Sequence, residues 1–125
     1  MLMCQMLLSI NPEYVDKILS NTKKFEYRKI RCRADVDTII IYSTHPVMRV
    51  VGEVEVIGVI EDEASLVWQQ TKKYSGITKK FFDSYFRGRE KAIAYKLGKI
   101  KRYKHPLLLS DFGVKCAPQS FVYIK

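Results

Sequence analysis

Cysteine and histidine are too few and too scattered in this chain to hold a metal. Cys4, Cys32 and Cys116 contain no CxxC pair and His45 and His105 stand alone, whereas zinc sites draw four ligands from short, paired spacings. The same scatter excludes a disulfide framework, and unpaired thiols suit a reducing, cytoplasmic compartment. No metal and no other cofactor is expected. Long apolar runs are also missing. The opening Met1 to Leu8 is apolar, but it has no basic flank and gives way at Ser9-Ile10-Asn11-Pro12. It is too short for a membrane span and lacks a signal-peptide layout, so no membrane partner is expected. It reads as a core strand preceded by extra or disordered residues over 1–5, with Met6 an alternative start. Asp111-Phe112-Gly113 stands without a glycine-rich loop or a catalytic loop, which excludes a kinase.

Acidic residues are scarce in one segment above all. Residues 72–104 carry twelve Lys/Arg against two acids, a balance of +10, while residues 1–71 come to −2 and residues 105–125 to +1. The basicity therefore belongs to one stretch, and a field so segregated favours polyanions, nucleic acid first among them, over a face that serves solubility alone.

What is present is enough for one domain over residues 1–125: the chain is 47% hydrophobic and 12% aromatic, with no interdomain linker and no repeat. Leu7 to Ile10 reads as a buried strand, and Asn11-Pro12 as an N-cap followed by a proline at the first helical position. Tyr14, Val15, Ile18 and Leu19 recur at helical spacing, and Asn21 is suited to the left-handed turn that ends the helix. Asp37 to Ser43 is an interior strand. Val50 to Ile60 alternates around Gly52 and Gly58, which predict bulges in a strand that turns a corner. Glu61-Asp62-Glu63 leads into a helix over 64–71. A second helix places Ile77, Phe81, Phe82 and Tyr85 on its apolar side and Lys79, Lys80 and Arg87 on its wet side. A strand from Lys91, a turn at 110–113 and a last strand from Phe121 complete the order. About six strands with few helices and no βαβ rhythm predict an α+β fold, a small mixed β-barrel with flanking helices.

The stretch Asn21-Thr22-Lys23-Lys24-Phe25-Glu26-Tyr27-Arg28 concentrates the chemistry. If Phe25 and Tyr27 face a core, the two-residue period of a strand turns Lys24, Glu26 and Arg28 to the other side, with Lys23 in the turn beside them. Arg28 then offers a fork for phosphate or a base edge, Glu26 an acceptor for an exocyclic amine, and Lys23 a mobile positive charge.

Ser9 to Tyr14, Lys17 to Ser20, and then Lys23, Glu26 and Arg28 resemble the ASCH domain, the activating-signal-cointegrator homology branch of the PUA-like folds, whose signature is GxKxxExR after a first helix. Asn21 stands where the family has glycine. Tyr42-Ser43-Thr44, the strand Gly52 to Val56, and Pro118 to Ile124 are similar to the family as well, so the resemblance spans nearly the whole chain. It implies a PUA-like barrel with a cleft into which Lys23, Glu26 and Arg28 project, and an RNA- or nucleotide-binding role of the kind found in transcription or translation regulators. Some members are enzymes. One branch hydrolyses N4-acetylcytidine with a Lys, a Thr and a Glu, and nuclease activity has been suggested for another. Lys23 matches the lysine of the first branch, but Glu26 stands at its threonine, and Lys72, Lys73 and Tyr74 occupy the region of its glutamate. Holding a ligand is therefore favoured over cutting one.

The expected ligand or RNA contacts are Lys23, Glu26, Arg28, Tyr42, Ser43, Thr44, Lys79, Lys80, Arg87 and Arg89, with Lys23 the one catalytic candidate. Tyr74 and Tyr85 are candidates for base stacking, although Tyr85 falls on an apolar stripe and is expected in the core. A hydrolase acting on modified cytidine or RNA, and a module that meets an acidic protein partner, are the alternatives. A monomer or weak homodimer is expected.

Overall fold

The computed structural model describes residues 4–33 and 35–124. Six strands make one mixed sheet: β1 (Cys4–Ile10), β2 (Phe25–Arg28), β3 (Val36–Ser43), β4 (Arg49–Glu63), β5 (Lys91–Leu107) and β6 (Phe121–Ile124), in the order β2-β5-β4-β3-β1-β6. Three helices flank it: α1 (Pro12–Leu19), α2 (Ala64–Thr71) and α3 (Lys79–Tyr85). β1 runs parallel to β3, and the other neighbours pair antiparallel. Cys4 and Gln5 already belong to β1 and pair across to β3; the reading of extra residues over Met1–Met3 lies outside the described residues.

β1 and β3 are buried on both faces, which is why their sequences are nearly continuous apolar runs. Met6, Leu8, Ile39 and Ile41 pack on one side with Val15 and Ile18 of α1. Leu7, Ile40, Tyr42 and Val50 pack on the other, under Leu107, Leu109 and Val122. A separate cluster joins Phe25 and Tyr27 of β2 to Val67 of α2 and to Phe82 and Phe86 of the α3 region. α1 starts as its sequence dictates. The Asn11 side chain accepts from Glu13 N at 3.1 Å, with Pro12 in the first turn.

The glycine-marked bends of β4 are real: its register with β5 shifts between Val50 and Gly52 and again between Val56 and Gly58. Glu61 to Glu63 close β4, opposite Ile93 to Lys91, and lead directly into α2, which starts at Ala64 as its sequence indicates. The barrel is a correction. β2 and β6 are the two ends of the strand order, and no ladder joins them among the described residues, so the sheet is open. Each end strand is only four residues long. In place of a ladder, a side chain crosses the opening: Arg28 of β2 reaches the Ser9 carbonyl in β1 at 3.3 Å and Ser120 Oγ, beside β6, at 3.4 Å.

Candidate functional site

The opening between the two sheet ends is a cleft of about 130 Å³ lined by β1, β2, α1 and the α3 segment, and it contains Lys23, Glu26 and Arg28 together. The end of α1 sets it up. Asn21 takes φ 64°, the left-handed conformation anticipated for a helix exit, and Thr22 N and Lys23 N both return to the Lys17 carbonyl, at 2.9 and 3.0 Å. This tight exit turns the Lys23 side chain inward, leaving the residue 3% exposed.

Three donors, one from α1 and two from the connection that follows it, then grip one loop. Lys23 Nζ donates to the Ser75 carbonyl at 2.6 Å, Lys17 Nζ to the Gly76 carbonyl at 3.0 Å, and Lys24 N to the Tyr74 carbonyl at 2.9 Å. The ammonium of Lys23 also lies 4.8 Å from the centre of the Tyr27 ring and 5.7 Å from that of Tyr14. Burial lowers its pKa to about 8, against the opposing pull of the Glu26 carboxylate. Tyr27 is pushed up to about 12, chiefly by burial, with its hydroxyl donating to Thr71 Oγ1 at 2.7 Å.

Glu26 is 7% exposed and takes both of its nearest contacts from Arg28 on one oxygen: Nε to Oε2 at 3.1 Å and Nη2 to Oε2 at 2.8 Å. Arg28 is thus engaged three ways, with Glu26, Ser9 and Ser120. Chemically the cleft offers an ammonium near its titration point, one carboxylate with an uncommitted oxygen, and a lining of Tyr14, Tyr27, Phe81 and Tyr85. Among the described residues no group of three or more Cys, His, Asp or Glu is arranged to hold a metal.

The other sequence candidates lie elsewhere. Tyr42 and Ser43 are buried at the end of β3, and Tyr42 belongs to the cluster with Leu7 and Val50 on the far face. Thr44 is half-buried, its backbone N donating to the Ile10 carbonyl at 3.0 Å. None of the three lines the cleft. Lys79, Lys80, Arg87 and Arg89 are exposed on and just after α3, Lys79 being paired with Asp83 at 2.8 Å. Residues 72–104 do not form a single basic wall. Lys101 and Lys91 of β5 lie opposite Glu53 and Glu63 of β4, so acids of β4 stand among the cations of the later part of the segment.

Sequence reasoning missed Ser9, Tyr14, Ile77 and Phe81 as cleft residues; Tyr85, expected in the core and kept as a candidate for stacking, packs against the cluster of Phe82 and Phe86 and also lines the opening. The signal for Phe81 was its position. It directly precedes Phe82, and adjacent helical residues are turned about 100° apart, so a narrow core face takes only one of them fully.

Comparison with known proteins joins this geometry to a family. The ASCH domain profile matches residues 8–102. The chain belongs to the ASCH domain family. The large ribosomal subunit protein uL22 of Ureaplasma parvum is 34% identical over 87 residues, covering 70% of this chain and 28% of that protein. An ASCH domain-containing ribonuclease of Zymomonas mobilis is 29% identical over 92 residues, covering 73% of this chain and 62% of the relative. The chain spans less than two thirds of the length of these curated relatives. Among solved structures, a mutant of the Zymomonas mobilis ASCH protein superposes with a TM-score of 0.88 at 25% identity, over 97% of this chain and 88% of that one.

Proposed function

We propose that this ASCH domain binds RNA, taking one nucleotide into the cleft with Lys23 and Glu26 facing it and Lys79, Lys80, Arg87 and Arg89 holding flanking phosphates. The observation that carries the reading is a lysine withdrawn almost wholly from water that nevertheless lines an open cleft, beside a buried carboxylate–guanidinium pair. Burying an ammonium costs stability, and such a group persists where a ligand uses it. The exposed cations around α3 supply the sequence-independent part of affinity through counterion release. The ribonuclease from Zymomonas mobilis supports RNA as the ligand class.

The test is the affinity for a labelled RNA strand measured from about 50 mM to about 300 mM salt. Four neutralised phosphates predict a slope of about −3 in log K against log salt. Lys23→Ala is expected to weaken binding at every salt concentration. Negligible binding at the lowest salt refutes the reading.

A second reading is favoured by the lowered pKa of Lys23. An amine that titrates near neutrality is suited to move a proton in phosphodiester cleavage. Incubating RNA with the wild-type protein and with Lys23→Ala separates binding from cleavage. Products that form with wild type and vanish with the variant establish the second reading. N4-acetylcytidine hydrolysis is less well supported, because Glu26 is the one carboxylate among the described residues that line the cleft.

A further inference from the structure

Phe81 is 43% exposed, while the next residue, Phe82, is 1% exposed in the core beneath it. α3 turns this phenylalanine outward at the mouth of the cleft, where it meets other rings. It lies parallel to Tyr85, with an interplanar angle of 10° and centroids 6.3 Å apart, and its centroid is 5.7 Å from that of Tyr14. All three rings line the cleft. The Lys29 ammonium sits 4.9 Å from the Tyr85 centroid, and Lys79 and Lys80 precede Phe81 on the exposed side of the helix. A single exposed apolar side chain is ordinary on a protein surface. Contacting aromatic rings at a cleft mouth, bordered by cations and leading down to a carboxylate, are the parts from which single-stranded nucleic acid sites are made.

We propose that Tyr14, Phe81 and Tyr85 form a stacking platform for one unstacked nucleobase, so that the RNA bound is single-stranded at that position. This rests on the RNA reading above and names the form of RNA it requires. A base inside a duplex has both faces covered by its neighbours, so it reaches Phe81 only by leaving the stack. The cleft, about 130 Å³ and bordered by β1, β2, α1 and the α3 segment, is far too small to admit a double helix. Glu26, which lines the cleft and gives Arg28 only its Oε2, has its other oxygen to accept from N–H groups on the edge of a base held this way.

The test compares Phe81→Ala, Phe81→Leu and Phe81→Tyr with wild type. The probes are one unstructured labelled RNA strand and the same strand annealed to its complement. The expected result is single-strand affinity well above duplex affinity in the wild type. Phe81→Ala then loses about fivefold to a hundredfold on the single strand and little on the duplex, the usual range for removing one stacking ring. Phe81→Tyr retains binding, and Phe81→Leu, which keeps apolar area without a flat ring, falls close to the alanine variant. Because Phe81 is exposed, matching thermal midpoints verify that the variants fold. Equal affinity for the two probes, unchanged affinity in Phe81→Ala, or equal losses on both probes overturns the platform while leaving RNA binding in place. A wild-type protein that binds neither probe overturns the RNA reading and the platform with it.

Discussion

Replacing Gly76 by alanine tests how Lys23 is held. Gly76 has φ +70°, and a Cβ built there would stand 2.6 Å from both Cβ and Cγ of Lys23 and 2.8 Å from its Cδ. Two costs follow. The left-handed conformation costs an alanine about 1 to 2 kcal/mol. Overpacking adds about 1 to 3 kcal/mol, because the atoms in the way belong to the stem of a buried side chain and not to its mobile tip. Gly88 supplies the control, since its φ is +77° and nothing lies within 4 Å of a Cβ placed there. Gly88→Ala is expected to lose only the conformational share, about 1 to 2 kcal/mol. Gly76→Ala is expected to lose about 2 to 5 kcal/mol. Urea denaturation of the two variants and wild type, with m-values compared to verify a common unfolding transition, gives both numbers. RNA affinity adds an independent reading: a displaced Lys23 weakens binding in Gly76→Ala, and Gly88→Ala leaves it unchanged. Equal destabilisation of the two variants, within about 0.5 kcal/mol, refutes the claim that Gly76 packs against Lys23.

Lys23 also gives stability a characteristic pH dependence. With its pKa lowered from 10.5 to about 8 on folding, the unfolded chain binds more protons between those values, so stability rises with pH above about 8 until the tyrosines of the unfolded chain ionise near 10. The Cys32 thiol, raised by burial above its ordinary value of 9.0, works in the opposite sense once pH passes that value; urea midpoints at two pH values inside the window are therefore expected to rise in wild type relative to Lys23→Met, and parallel behaviour of the two proteins counts against it. Arg28→Ala strands the buried Glu26 carboxylate and is expected to cost about 3 to 5 kcal/mol, with Glu26→Gln in the same chain recovering about 1 kcal/mol or more; additive losses in a double-mutant cycle defeat that coupling. Lys79→Ala breaks an exposed pair with Asp83. It is expected to change stability by less than about 1 kcal/mol while lowering the magnitude of the salt slope for RNA by about 0.7, and an unchanged slope removes Lys79 from the binding face.

Local chemistry written into the chain was legible before any coordinates. Asn11-Pro12 capped α1, Asn21 adopted positive φ, and Gly52 and Gly58 marked irregularities in β4, because each effect is decided within a few residues of backbone. The grouping of Lys23, Glu26 and Arg28 was legible from strand period together with the family signature. What sequence did not disclose depends on contacts across the fold. Periodicity put Phe81 on an apolar stripe, but a seven-residue helix turns only a narrow face to its core, and Phe82 takes it. Tyr42, Ser43 and Thr44 follow a core strand to its end, and the direction that end faces is fixed by pairing with β1 and β4, far away in sequence. The charge run misled in the same way. β5 sets Lys91 and Lys101 opposite Glu63 and Glu53 of β4, a juxtaposition visible only once the register is known.

Arg28 shows how the open sheet and the cleft depend on each other. A guanidinium expected to grip a phosphate is instead held by the Glu26 carboxylate, the Ser9 carbonyl and Ser120 Oγ, so its donors serve the gap that a barrel would have closed with backbone hydrogen bonds. A ladder there would fill the opening with main chain. A long side chain ties the two ends together while leaving space above it, and that space is the cleft. Glu26 holds Arg28 through Oε2 and itself lines the cleft, so the ion pair belongs to both the scaffold and the cleft wall. On the RNA reading proposed above, the cation that meets a ligand inside the cleft is then Lys23, whose ammonium is held by the Ser75 carbonyl and two ring faces. Lysine suits that place better than arginine. Its amine loses its proton readily when buried, whereas a guanidinium stays charged and would remain locked to Glu26.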